Sequence, residues 1–297
     1  MNKFKCFYHI SDMDGWCSAA IVAMYTGNYD KENYIGIDYN NHKIESIDID
    51  SIKNEVIYIV DLSFTERNID ILRKLNENNE VIWIDHHDAS MEINDMYDDI
   101  RNIKGIRSKS HSGAYFTWLF LMREYRVPSA VKYVSDWDCF HLKFHDIFAF
   151  KYGVDSIAQF KNPLSWQWKD LINGTTAVNV DKLIYRGKTI EQYVNIENEA
   201  YCKSNVFESE IDGNKCAVLN KLGNGKLLFG DLYYKYPYVS TFIYDGEKYK
   251  YSLYTHDPEK YDCNSIAKKF GGGGHKGAAG FSSKELIYDF KGKIDFK

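Results

Sequence analysis

Acidic and imidazole side chains gather where short apolar runs stop. His9, Asp12 and Asp14 follow residues 4–8 in HISDMDG, Asp61 follows residues 56–60, and Asp85, His86 and His87 follow residues 81–84. A fourth group, Asp136 and Asp138 in YVSDWD, follows residues 130–134. Carboxylates brought together repel one another and cannot all stay ionised without a counter-charge. Divalent cations supply it. An oxygen-rich set with a few imidazoles and no thiolate suits Mn²⁺, with Mg²⁺ or Co²⁺ as alternatives. The ligands suffice for two cations, which in hydrolases lie ~3.5–4 Å apart, turn a water into hydroxide and spread the charge on a phosphoryl group. Phosphate-ester hydrolysis is the expected chemistry. Taken singly the signals are weak, because an aspartate after a strand usually caps a turn and Asp-Gly punctuates many turns. Asp-His-His after a fully apolar run is rarer, since burying three polar groups is expensive without a purpose.

For the first three groups to meet, runs 4–8, 56–60 and 81–84 must be strands ending along one edge. Each is too short for a helix and rich in β-branched or aromatic residues, as buried parallel strands are. Residues 17–24 (CSAAIVAM) read as a helix packed through small side chains. Ser63-Phe64-Thr65-Glu66 fits a capping box, and Ile69, Leu72 and Leu75 follow at helical spacing until residues 76–79. This rhythm predicts an α/β fold, with a mostly parallel N-terminal sheet and flanking helices, whose ligands bind at the carboxyl edge of the strands. Residues 148–189 read as irregular and 190–204 as a polar helix. Beyond it, 216–220, 227–234 and 239–244 read as strands, Asp245-Gly246 as a hairpin turn into 248–255, and 265–270 as a short helix. The expected organisation is a catalytic metal-binding domain at 1–185, a linker helix at 186–205 and a smaller α+β substrate-binding domain at 206–297.

The run of four glycines at 271–274, followed by His275, is the second strong signal. Consecutive glycines forfeit backbone order, yet the missing Cβ atoms let a phosphate approach backbone N–H groups. His275 and Lys276 could add charge or a hydrogen bond. A flexible linker is the plainer reading, but linkers seldom continue as HKGAAG.

Composition narrows the substrate. Lys and Arg total 37 against 42 Asp and Glu, a net charge of −5, without the basic excess that long nucleic acid requires. The substrate is therefore short, or positive charge comes from metal ions and a local patch. Cys6, Cys17, Cys139, Cys202, Cys216 and Cys263 form no CxxC pair, which argues against a zinc ribbon or a disulfide framework. The N-terminal MNKFKCFYHISDMDG has no secretory core and no apolar run approaches ~18–20 residues, so a cytoplasmic location with no membrane partner is expected. Most aromatic residues are core; Trp166, Trp168 and Tyr254 are guesses at base stacking. His42, His111, His141 and His145 read as surface or ordinary buried histidines. His111, ahead of Ser112-Gly113-Ala114 at an expected helix start, stays a secondary candidate for substrate contact.

These motifs resemble the DHH phosphoesterase family with its C-terminal DHH-associated domain, through HISDMDGWCSA, IVDLSF, WIDHHDAS, VSDWD and NSIAKKFGGGGHKGAAGF. The resemblance implies that His9 and Asp12 hold one Mn²⁺, that Asp14, His86 and Asp136 hold the other, and that Asp61 bridges the two. It implies that Asp85 steadies a histidine and that His87 faces the substrate phosphate or protonates the leaving oxygen. Asp136 aligns better than Asp138 with the family's last aspartate. Asn264, Ser265, Gly273, Gly274 and His275 match nucleotide-holding positions. The arginine that many members carry in the preceding strand is absent from YSLYT at 251–255, leaving Tyr254 or Lys250 as its replacement. The chain looks most like the short nanoRNase or oligoribonuclease-like members. That implies a Mn²⁺-dependent phosphodiesterase of exonuclease type, hydrolysing short oligonucleotides or dinucleotides to mononucleotides. Alternatives are a phosphatase acting on 3′-phosphoadenosine 5′-phosphate or pyrophosphate, and an inactive nucleotide-binding protein. A homodimer is left open.

Overall fold

The computed structural model describes residues 3–38, 43–123 and 126–294, and His42 lies outside them. The chain divides into two units, Met1–Glu191 and Gln192–Lys297.

Unit 1 opens with β1 (Phe4–His9), α1 (Met13–Thr26), β2 (Tyr34–Ile37), β3 (Val56–Val60), α2 (Ile69–Asn78) and β4 (Glu80–Ile84). The strands form one sheet in the order β2-β1-β3-β4, every pairing parallel. Because side chains alternate along a strand, each run feeds two cores. Cys6, Tyr8, Tyr58, Val60 and Ile84 pack with α1 residues such as Ile21 and Val22. Phe7, Ile57, Ile59, Val81 and Trp83 pack with Leu72 and Leu75 on the other face. Burial on both faces makes β3 and β4 near-continuous apolar runs. Strand β2 escaped notice because it is a four-residue edge strand, YIGI, with a glycine inside it.

Two sequence expectations in this unit change. Helix α2 begins at Ile69 after Asn68, not at a capping box: Asn68 Oδ1 turns back to accept Thr65 N at 2.8 Å, and Glu66 Oε1 accepts the Tyr97 hydroxyl at 3.2 Å. Residues 130–138 belong to a helix. After α3 (Asp88–Met96) and α4 (Asp98–Arg101) come α5 (Gly113–Met122), α6 (Ser129–Asp138), α7 (Ile147–Asp155), α8 (Trp166–Asn173) and α9 (Val180–Asn205). The stretch that read as irregular is therefore largely helical. Its short helices pack around buried Phe150, Phe160 and Trp168, with Trp168 Nε1 donating to Phe160 O at 2.8 Å, and Pro163 falls in a turn between them. Broken periodicity hid them.

Unit 2 holds β5 (Phe207–Ile211), β6 (Asn214–Leu219), α10 (Gly225–Phe229), α11 (Leu232–Lys235), β7 (Tyr238–Tyr244), β8 (Tyr249–Tyr254), α12 (Cys263–Lys269), β9 (Gly273–His275), β10 (Ala278–Ser283) and β11 (Gly292–Lys293). Its sheet runs β11-β5-β6-β7-β8-β10-β9, with β6 and β7 parallel and the other pairs antiparallel. A parallel pair needs a crossover, and residues 227–234, expected as a strand, supply it as helices. Asn224 caps α10 by accepting Lys226 N and Leu227 N, Gly230 breaks the chain at φ 51°, and Leu228, Phe229 and Leu232 are buried. The Asp245-Gly246 turn forms as expected, Asp245 Oδ1 accepting Glu247 N and Lys248 N. No helix among the described residues is long and apolar enough to cross a membrane.

Candidate metal centre

Parallel pairing puts the carboxyl ends of β1, β3 and β4 along one edge, so His9, Asp61 and Asp85 emerge together. Asp12 then caps α1, accepting Gly15 N at 3.0 Å, and Asp14 lies in its first turn. Gly15 is no turn residue here. A Cβ on it would stand 1.9 Å from the His9 carbonyl oxygen, so only glycine lets α1 start this close to β1.

Asp14 is almost wholly buried and anchored by the start of α5. Ser112 Oγ and Ala114 N donate to Oδ1 at 2.6 and 3.0 Å, and Gly113 N donates to Oδ2 at 2.7 Å. A helix N-terminus is a natural seat for a carboxylate. Gly113 is required by space: its Cβ would lie 2.7 Å from Asp61 Cβ and 3.0 Å from Asp14 Oδ2.

His86 Nε2 collects the carboxylates, at 3.1 Å from Asp138 Oδ2, 3.3 Å from Asp61 Oδ1 and 3.7 Å from Asp14 Oδ2. On the other side of Asp61, His9 Nδ1 lies 3.9 Å from Oδ2 and 3.0 Å from Asp12 Oδ2. Three ligand groups result, each with donor atoms within 4.8 Å of one another: His9–Asp12–Asp61, Asp61–His86–His87 and His86–Asp138–Cys139. Asp61 belongs to two of them. It is 1% exposed, sits at φ 53°, and neither carboxylate oxygen makes a hydrogen bond among the described residues. A buried anion so placed is what a cation pair would satisfy, and the donor set of carboxylates and imidazoles fits such ions.

The electrostatics agree. Burial, reinforced by Asp14 and Asp12, drives the Asp61 carboxyl well above the usual range. Burial and Asp14 push Asp138 up to about 7. Burial works against a charged His86, but Asp61, Cys139 and Asp14 outweigh it and hold the ring protonated. Without metal, the cluster takes up protons to relieve its own repulsion.

Asp85 is fully buried and accepts from His87 Nδ1 at 2.8 Å and from the Ser90 hydroxyl. That bond leaves His87 Nε2 as the nitrogen free to exchange a proton, on a side chain 36% exposed. Asp85 raises the His87 pKa against the opposing effect of burial.

Asp136, the aspartate expected as a ligand, is placed away from His86. Its carboxylate accepts Lys143 N at 3.0 Å and Phe144 N at 3.1 Å, so it organises the loop after α6. Two residues along a helix is a turn of about 200°, so Asp136 and Asp138 face nearly opposite ways. Only Asp138 reaches His86.

Residues 4–135 match the model of the DHH family N-terminal domain. Over this stretch, just under half of its length, the chain is similar to that domain. An uncharacterized protein, R106, of Acanthamoeba polyphaga mimivirus is 27% identical over 301 aligned residues, covering 93% of this chain and 66% of that relative, so the chain spans just under two thirds of the relative's length. Among solved structures, the pGpG-specific phosphodiesterase PggH from Vibrio cholerae gives a TM-score of 0.51 at 13% identity, with 96% of this chain and 94% of that one covered. The DHH domain of a protein assigned to a family of ribosomal proteins gives 0.55 at 14% identity, with coverage of 94% and 82%. At these identities the likeness is one of fold.

The DHH-family match stops at residue 135, one position short of Asp136 and three short of Asp138. Sequence reading also passed over Ser112 and Gly113 as the seat of Asp14, Ser90 as a partner of Asp85, and Cys139 beside His86. The Ser-Gly pair at a helix start carried a signal for the first two; nothing in the spacing pointed to Cys139. Replacing Gly113 by Ala will push Asp61 and Asp14 apart. Isothermal titration with Mn²⁺ should show affinity lowered at least about tenfold, the effect of ~1.4 kcal/mol, while circular dichroism stays unchanged.

The glycine motif lies in unit 2. The end of the GGGGH segment is an edge strand: β9 pairs Gly273, Gly274 and His275 with Gly280, Ala279 and Ala278 of β10. Two glycines are steric, since a Cβ on Gly272 would stand 2.2 Å from Gly280 O and one on Gly274 2.7 Å from Ala278 O. Gly273 has open space, with Asn264 Oδ1 at 3.9 Å from its Cβ position, and that buried oxygen lacks a hydrogen-bond partner among the described residues. Ser265 is tied to the cap of α12, its N and Oγ donating to Asp262. Lys276 pairs with Glu259. Both candidates for the missing arginine are engaged: Lys250 pairs with Asp245, and the Tyr254 hydroxyl donates to Gly223 O at 3.0 Å. Trp168 is core, whereas Trp166 is exposed.

Proposed function

We propose that the chain is a divalent-cation-dependent phosphodiesterase that hydrolyses dinucleotides or short oligonucleotides to mononucleotides. The observation that carries this reading is Asp61, buried and unbonded between the His9–Asp12 pair and the His86–Asp14–Asp138 group. His9, Asp12 and Asp61 would hold one cation, and Asp14, Asp61, His86 and Asp138 the other. Bound there, the cations supply Lewis acidity that makes water a nucleophile at neutral pH and offsets charge on the phosphoryl group.

The protein's own groups do the rest. Asp85 fixes the His87 ring through Nδ1, so Nε2 can carry a proton to the departing oxygen. Asp14, clamped by α5, keeps the carboxylates at fixed positions, which favours charge stabilisation without reorganisation. Asn264 and the open backbone at Gly273 are the candidates for holding the nucleotide. The net charge of −5 favours a short substrate over a polymer. PggH is described as acting on pGpG, which makes a 5′-phosphorylated dinucleotide the first substrate to try.

The test is incubation with Mn²⁺ and a panel of pGpG, two- to five-nucleotide RNA, 3′-phosphoadenosine 5′-phosphate and pyrophosphate. Mononucleotide release from the dinucleotide, abolished by a chelator, is expected. Phosphate release from pyrophosphate alone would make the chain a phosphatase. Stoichiometric binding without turnover would make it a nucleotide-binding protein.

A further inference from the structure

After Asp138 the backbone is forced into an unfavourable shape. Phe140 and Leu142 both sit at φ 51°, in the left-handed region that costs a bulky residue about 1–2 kcal/mol. Such conformations persist where surrounding bonds over-determine them, and they cluster at binding sites. Here the bonds come from Asp136. Its carboxylate accepts Lys143 N and Phe144 N, and its carbonyl accepts His141 N at 3.0 Å. A buried acid thus holds a strained loop in a single shape.

That loop presents His141 and Lys143, both exposed. Among the described residues neither side chain is engaged in an ion pair or hydrogen bond. His111, just before α5, shares their surroundings: burial, with His141 and Lys143 nearby, holds its pKa below the ordinary value. Its ring is pinned by stacking on Tyr115, with centroids 3.9 Å apart and planes 17° from parallel, and by a 3.3 Å contact from Nδ1 to Ser110 Oγ. Both sides of the patch are tied to the metal centre. Ser112, next to His111, bonds Asp14 through Oγ and Ser135 Oγ through its N–H, while the loop leaves helix α6 directly after Asp138. A chain of net charge −5 has therefore placed a lysine and two imidazoles, none paired with an acid, beside a carboxylate-rich centre.

We propose that His111, His141 and Lys143 form a phosphate subsite that binds a second phosphate of the nucleotide substrate, one that is not hydrolysed. Lys143 supplies a point charge, and the two imidazoles supply N–H donors. The inference rests on the phosphodiesterase reading above.

The experiment compares two Mn²⁺-supported substrates, a dinucleotide with a 5′-phosphate and the same dinucleotide without it. Wild type should favour the phosphorylated one by about 10–100-fold in kcat/KM, the range that ~1.4–2.7 kcal/mol gives. Lys143→Gln and His111→Gln should each erase about tenfold of that preference, mainly through KM, and flatten its salt dependence. Equal cleavage of both substrates by wild type, or full preference in both variants, overturns the subsite while the phosphodiesterase reading stands. If neither dinucleotide is cleaved, that reading fails. Equilibrium binding of the phosphorylated dinucleotide then decides the subsite, and equal affinity in wild type and Lys143→Gln overturns it.

Discussion

Replacing Asp61 by Asn should abolish Mn²⁺-dependent hydrolysis, by at least ~10³-fold or about 4 kcal/mol of transition-state stabilisation, without unfolding the protein. Asp61 is the one carboxylate that lies in both the His9–Asp12 group and the His86 group. Losing it removes a shared ligand and both binding sites weaken together. A second readout separates this from general damage. A metal that binds only the folded chain stabilises it by ~2.7 kcal/mol at a hundredfold excess over Kd. Wild type should therefore melt several degrees higher with Mn²⁺ than without, and the variant should not. The metal-free variant should melt no lower than metal-free wild type. Burial, with Asp14 and Asp12 beside it, outweighs the favourable His86 ring, so the charge of Asp61 opposes folding. A gain of ~1 kcal/mol would raise Tm by about 2–4 °C in a domain of this size. A variant that still turns over at wild-type rate, or keeps the full Mn²⁺ thermal shift, sinks the metal-centre reading.

Much of this centre was legible because parallel strands convert sequence periodicity into position. Once runs 56–60 and 81–84 read as strands buried on both faces, Asp61 and Asp85 had to emerge at one edge, whatever their distance along the chain. Helix detail was less legible. The sequence Ser63-Phe64-Thr65-Glu66 has the letters of a capping box, yet Asn68 closes its own turn three residues later and displaces the helix start. Residues 227–234 carry strand-like composition, but the parallel pairing of β6 with β7 demands a crossover there, and no local pattern reports a partner in the sheet. Nothing in the four glycines signals a strand, because an isolated glycine run forfeits backbone order. The close approach of Gly272 and Gly274 to β10 is a tertiary fact.

The pair Asp136 and Asp138 is where alignment to a family and the geometry of this chain part, and two variants separate them. Asp138→Asn should cut kcat by at least about 10²-fold and weaken Mn²⁺ binding, with the metal-free Tm level or raised. Its carboxylate lies 3.1 Å from His86 Nε2, and burial together with Asp14 opposes its charge. Asp136→Asn should do the reverse. Two backbone N–H groups depend on that carboxylate, and an amide can accept from only one side. One charge-assisted bond is then lost and a donor is left facing a donor, a cost of ~1.5–3 kcal/mol or roughly 3–12 °C in Tm. The loop bearing His141 and Lys143 loosens, so KM for a phosphorylated dinucleotide should rise while Mn²⁺ affinity stays within about threefold. If instead Asp136→Asn loses metal and Asp138→Asn binds it normally, Asp136 is the ligand and the loop must rearrange when metal enters. In the expected pattern Asp138→Asn loses metal affinity and keeps Tm, whereas Asp136→Asn loses Tm and keeps metal affinity. One melting series and one Mn²⁺ titration on each variant therefore decide which aspartate faces the cations.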